Sequence, residues 1–87
     1  MKGYEMLPEH MRAQTRAYVE HGQPPGDFLR AVLENKLIEA VHIADSTNQE
    51  AIIKWAQWVY RGCPCEARGS VEAIRVWIQR GGLEGKL

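Results

Sequence analysis

The sequence predicts an all-α fold: a compact four-helix domain with helices over about 8–21, 27–44, 47–61 and 70–80. Three observations carry this. Apolar side chains recur every three or four residues in each run, the period of a helix with one buried side. Between the runs stand clusters of Pro, Gly, Asp and Ser, which end one helix and cap the next. No run alternates apolar and polar residues as a half-buried strand would, and no internal repeat is present. Eighty-seven residues are expected to form a single helical domain over 1–87, with 82–87 as a loose C-terminal tail.

The elements follow in order. Pro8 suits the first position of a helix and Gly22 the stop after His21. Between them Met11, Thr15, Tyr18 and Val19 form one stripe. Gln23-Pro24-Pro25-Gly26 cannot continue a helix and makes a stiff corner. Asp27 is a good cap for the second run, in which Leu29, Leu33, Leu37, Ala40, Val41 and Ala44 share a face at roughly 100° per residue. Phe28, Val32 and Ile43 widen that face, while Ile38 falls on the opposite side, either as the single exposed apolar residue that is common on a surface or as the mark of a subunit contact. Asp45-Ser46-Thr47-Asn48 separates the second helix from the third, because such side chains satisfy free backbone N–H groups. The third helix is expected to turn Ile52, Ile53, Trp55, Ala56, Val59 and Tyr60 inward, with Trp58 at the edge of the stripe. Ser70 can cap the fourth, which buries Val71, Ile74, Trp77 and Ile78 and stops at Gly81-Gly82.

Charge and composition narrow the function classes. The formal net charge is zero, which argues against nucleic acid as a partner, since duplex binding needs a basic footprint. The sum conceals an asymmetry. Residues 1–50 hold five basic and eight acidic side chains, a net −3, and residues 51–87 hold six and three, a net +3. No stretch reaches the roughly 18 apolar residues of a membrane span, so no membrane association is expected. Met-Lys-Gly-Tyr-Glu is not the opening of a signal peptide, and Cys63 and Cys65 are too close for an unstrained disulfide. A reduced, cytoplasmic setting is expected. Three Trp and three Tyr are a heavy load for so small a core, so a homo-oligomer is expected as well.

Motifs of chemistry are few. Zinc wants four thiolate or imidazole ligands, and Cys63-Pro64-Cys65 supplies at most two. His10, His21 and His42 are not spaced to complete the set, so no metal and no cofactor is expected; one thiol packs under the loop and the other is exposed. Glu9-His10 and Glu20-His21 are neighbours that point apart on a helix, and no Walker or Rossmann glycine loop occurs, so the chain is expected not to be an enzyme. The region 54–80 is richer. Arg61, Arg68 and Arg75 surround the start of the fourth helix, where free N–H groups and the helix dipole favour an anion. Ser70 and the 69–71 backbone would hold that anion, the arginines would meet phosphates, and Trp58 would stack on a base.

Several strings bear a resemblance over nearly the whole chain. Leu7-Pro8-Glu9-His10-Met11-Arg12, Tyr18 to Leu29 with its Pro24-Pro25-Gly26 core, Ala31 to Asn35, and Gly69 to Ala73 leading to Trp77-Ile78 resemble a family of small uncharacterised phage and prophage proteins. Lys36, where relatives tend to carry Asp, and the Cys63-Pro64-Cys65 spelling are departures. The resemblance implies a phage-encoded accessory protein in the cytosol of a host cell and brings no catalytic or ligand residues with it. Joined to the arginine–aromatic region, it leads to the first expectation: a non-enzymatic counter-defence protein that sequesters a small anionic nucleotide signal as a homo-oligomer. A second is a stoichiometric inhibitor of a host defence protein complex, of anti-CRISPR type, with Ile38 and Trp58 as contact anchors. A third is a small regulator using the second and third helices as a helix-turn-helix.

Overall fold

The structure, a computed structural model, describes residues 3–85. It is all-α, with no strand among the described residues. The helices are α1 (Glu9–His21), α2 (Asp27–Leu33), α3 (Leu37–Ile43), α4 (Ser46–Glu50), α5 (Ile52–Arg61) and α6 (Val71–Arg80). Single 3-10 turns at Tyr4–Met6, Cys65–Ala67 and Gly82–Glu84 complete the path. A radius of gyration of 11.8 Å matches the roughly 12 Å of a globular chain of this length. No described helix is long and apolar enough to cross a membrane.

Helix α1 lies where its stripe and stops put it. Met11, Thr15, Tyr18 and Val19 are all buried, and Gly22 ends the helix in the left-handed conformation at φ 73°. Gln23 N–H donates to Ala17 O and Gly22 N–H to Tyr18 O, which satisfies the last carbonyls.

The expected second helix, 27–44, is two helices. The break falls at Asn35, the one non-glycine residue among those described with a positive φ, at 67°. Lys36 N–H donates to Ala31 O and Asn35 N–H to Val32 O, the paired bonds that close a helix C-terminus. Asn tolerates this conformation because its short polar side chain bonds locally. Ala40 and Ala44 stay on the core side, but the break leaves Leu37, Val41 and Ile43 at the surface beside Ile38.

The third expected helix, 47–61, is interrupted at Ala51 and becomes α4 and α5. Within the Asp45–Asn48 run it is Asp45 that caps α4, its Oδ1 accepting from Asn48 N–H at 2.7 Å. The buried side of α5 is also rotated from the expected one. Trp55 and Trp58 point inward, whereas Ile53, Ala56 and Tyr60 point out. The expected face left Trp58 at its margin. The large indole claims the interior instead, since it removes the most apolar surface from water.

All three tryptophans are essentially inaccessible, so the aromatic load does not by itself require a partner. Phe28 and Trp58 both pack edge-on against Trp55, at centroid distances of 5.3 and 6.1 Å. The indole N–H of Trp55 donates to the buried Asn48 Oδ1 at 3.1 Å, and that of Trp77 to Tyr18 O at 3.0 Å. In α6, Ile74 and Trp77 are buried as expected, but Val71 is exposed.

Residues 82–85 are not loose. Gly82 is buried and its 3-10 turn docks on the end of α1, where His21 Nδ1 meets Glu84 Oε1 at 3.2 Å. Residues 86–87 of the expected tail lie outside the described residues.

Candidate functional site

The loop from Gly62 to Ser70 is pinned at both ends. At its start the N–H groups of Gly62 and Cys63 both donate to Trp58 O. In the middle, buried Ala67 offers its carbonyl to the Tyr18 hydroxyl at 2.7 Å. At its end Gly69 N–H donates to Leu33 O at 2.8 Å, and Ser70 Oγ accepts from Ala73 N–H at 3.1 Å. This explains how a Gly- and Pro-containing segment holds one path.

Of the five residues expected to bind a ligand here, the loop brings Arg68 and Ser70 together. Ser70 spends its hydroxyl as the cap of α6. Arg68 is half-buried, with an Nε that has no hydrogen-bond partner among the described residues. Arg61 stands exposed at the end of α5. Arg75 is held by Glu72 one helical turn before it, a bidentate pair through Nε and Nη2 that satisfies the guanidinium locally. Trp58 is the clear correction. At 0% exposure it sits between Tyr4 and Trp55 and offers no face on which a base could stack. Nor can it anchor a protein contact. The reason is geometric: α5 rotates to bury both of its tryptophans.

The two cysteines differ as the sequence suggests. Cys63 is buried and Cys65 exposed. Burial pushes the Cys63 thiol up to about 12, against a smaller opposing pull from the Arg68 charge. Since the thiolate is the reactive form, iodoacetamide at about pH 8 is expected to add once to the native protein and twice after denaturation. Two adducts formed at equal rates on the native protein would contradict the burial of Cys63.

Metal-ligating groups meet elsewhere. Glu20, His21 and Glu84 place one ligand atom each within 4.8 Å of one another, the only such cluster among the described residues. Glu20 also accepts from the Tyr4 hydroxyl and lies 4.0 Å from Arg16. These groups therefore form an exposed ion-pair network that ties the docked turn to α1.

The most distinctive surface lies on the other side of α5. A groove of about 150 Å³ runs between α5 and the α2–α3 segment, lined by Val32, Leu37, Ala40, Ile52, Ala56 and Val59, with Trp55 at its floor and Asn35 and Lys36 at its polar end. It is well below the roughly 300–1,000 Å³ of a typical small-molecule pocket and closer to the room a protruding side chain needs. Around it the surface stays apolar: Leu37 is 64% exposed, Ile38 85%, Ile53 70% and Tyr60 78%. At about 100° per residue, the apolar arc of α5 from Trp58 round to Ile53 spans roughly 220°. A core-facing helix needs an arc of only about 100° or somewhat more. The chain's own core covers the Trp55–Trp58 side and leaves the Ala56, Tyr60 and Ile53 side uncovered. Sequence reasoning saw these apolar residues but assigned them to the interior; the width of the arc was the available signal that the helix has two apolar sides.

No protein-family model, curated protein or solved structure matches the chain.

Proposed function

We propose that this domain is a non-enzymatic binding protein whose working surface is the α3–α5 groove with its apolar margin, and that it acts by stoichiometric contact with a polypeptide. The observation that supports this reading is the second apolar side of α5, uncovered by the chain's own core. Exposed patches larger than a few hundred Å² are rare on soluble monomers and mark interaction sites. Leu37, Ile38, Ile53 and Tyr60 are large exposed apolar side chains on the two helices that border the groove, whose volume suits an inserted side chain. Sequestration of an anionic nucleotide is supported less well. Arg61 and Arg68 remain available to phosphates, but Trp58 is withdrawn as a stacking ring and Arg75 is paired with Glu72.

Photo-cross-linking tests the reading. With benzoylphenylalanine in place of Tyr60, irradiation in the host cell is expected to give a discrete adduct with a polypeptide. The same group in place of Gln79, exposed on α6, serves as the control and is expected to give none. No adduct from position 60 in folded protein, or equal labelling from both positions, would overturn the proposal.

A further inference from the structure

We infer that the occupant of the α3–α5 face is a second copy of this chain, related by a two-fold axis so that α3 of one protomer lies on α5 of the other. The inference rests on the reading of this face as a polypeptide contact and adds the identity of the partner.

Three observations favour a copy over an unrelated protein. The first is self-complementarity of shape. Leu37 lines the groove, and Ile38, Ile53 and Tyr60 project to solvent from the two helices that border it. A two-fold axis presents each feature to its counterpart, and an isologous contact uses every residue twice.

The second is charge at the margins. Beyond Ile38 on α3 the border is His42 and Glu39, and Lys36 at the groove is paired with Glu34 at 3.0 Å; beyond Ile53 and Tyr60 on α5 it is Gln57, Arg61 and Lys54. Glu39, Lys54 and Arg61 make no ion pair among the described residues. Crossing α3 over the partner's α5 sets an acidic margin against a basic one, twice. The same opposition holds chain-wide, with net −3 over residues 1–50 and net +3 over residues 51–87. The whole chain is neutral, so two copies approach without net repulsion.

The third is extent. Leu37, Ile38, Ile53 and Tyr60 are each more than three-fifths exposed, and Val41 and Ile43 are partly so. Pairing the faces would bury the uncovered side of α5, as a helix apolar over more than half its circumference requires.

Sedimentation equilibrium of the purified full chain decides the matter. The wild type is expected to populate a dimer whose mass falls towards that of the monomer on dilution. Ile53→Lys, and independently Tyr60→Lys, are expected to give monomer at every concentration with an unchanged circular dichroism spectrum, because both side chains are exposed. Val76→Lys, on the exposed side of α6, should leave the wild-type mass intact. Glu39→Lys and Lys54→Glu are each expected to weaken the dimer, and the double exchange to restore it. A wild type that stays monomeric to roughly 1 mM, weaker than any dimer of this extent, would overturn the inference. So would a dimer that survives both lysine substitutions. A monomeric wild type that still cross-links from position 60 to a different polypeptide would refute the dimer and spare the proposed function. Monomer without an adduct would refute both.

Discussion

Gly82→Ala is expected to unseat the C-terminal 3-10 turn from α1 and to lower the thermal midpoint by about 10 °C. Two costs combine. Gly82 holds φ at +73°, a conformation that costs an ordinary residue on the order of 1–3 kcal/mol. A Cβ there would also stand 2.6 Å from Glu20 C, His21 N and Gly22 N, all backbone atoms that cannot swing aside. Gly22 is the other half of the contact, since its own Cβ would lie 2.8 Å from Gly82 N. The chain can relieve either clash only by detaching residues 82–85, which also separates Glu84 from His21. Gly22→Ala and Gly82→Ala together should therefore cost less than the sum of their separate effects, because the turn detaches once. Strict additivity in denaturant unfolding, or a Gly82→Ala protein within about 0.5 kcal/mol of wild type, would contradict the docking.

Trp55→Ala is expected to remove most of the stability of the domain. Deleting a fully buried indole costs about 3–5 kcal/mol through lost transfer energy and the cavity left behind. A domain of this size has only about 5–10 kcal/mol in total. Trp55 is at the centre of that account: it packs against Phe28 and Trp58, holds Asn48 through its N–H, and floors the α3–α5 groove. Trp55→Phe keeps much of the packing and loses the hydrogen bond. Asn48→Ala strands the buried indole N–H and should cost about 1–3 kcal/mol on its own, but much less in the Trp55→Phe background. Urea unfolding followed by circular dichroism reads both effects. A Trp55→Ala protein with a cooperative transition at the wild-type midpoint would show that the indole is not central to the core.

The groove and the docked turn place stability and recognition on different parts of the molecule. The turn at Gly82 braces α1 and α6. Trp55 serves both roles, so its truncation cannot separate them, whereas Ile53 and Tyr60 are exposed and can be changed without opening the core.

Much of the fold is legible in the sequence because helix signals are local. The stripe of Met11, Thr15, Tyr18 and Val19 together with Gly22 defines α1, Ser70 caps α6, and Pro24-Pro25 turn the chain between α1 and α2. The break at Asn35 is harder to read. The residue can take the left-handed conformation, but so can many that do not, and apolar periodicity runs on past it to Ala44. Within the candidate site, the role of Ser70 as a cap and the inequality of the two cysteines follow from sequence, since each depends on near neighbours. The burial of Trp58 does not. With an apolar arc as wide as that of α5, the sequence permits several inward faces, and only the fit of Trp55, Trp58 and Phe28 among their tertiary neighbours selects one.

The sequence alone determined that the chain is helical, where α1 and α6 begin and end, and that the net charge is zero with opposite signs in its two halves. Tertiary structure decided which side of α5 is buried, that the second helix becomes α2 and α3, and that the last turn docks on α1. The physical reason is range. Caps, turns and periodicity act over a few residues, whereas a face becomes interior only when elements distant in sequence compete to cover it. Here the three tryptophans won that competition, and Ile53 and Tyr60, which lost it, became the surface of greatest interest.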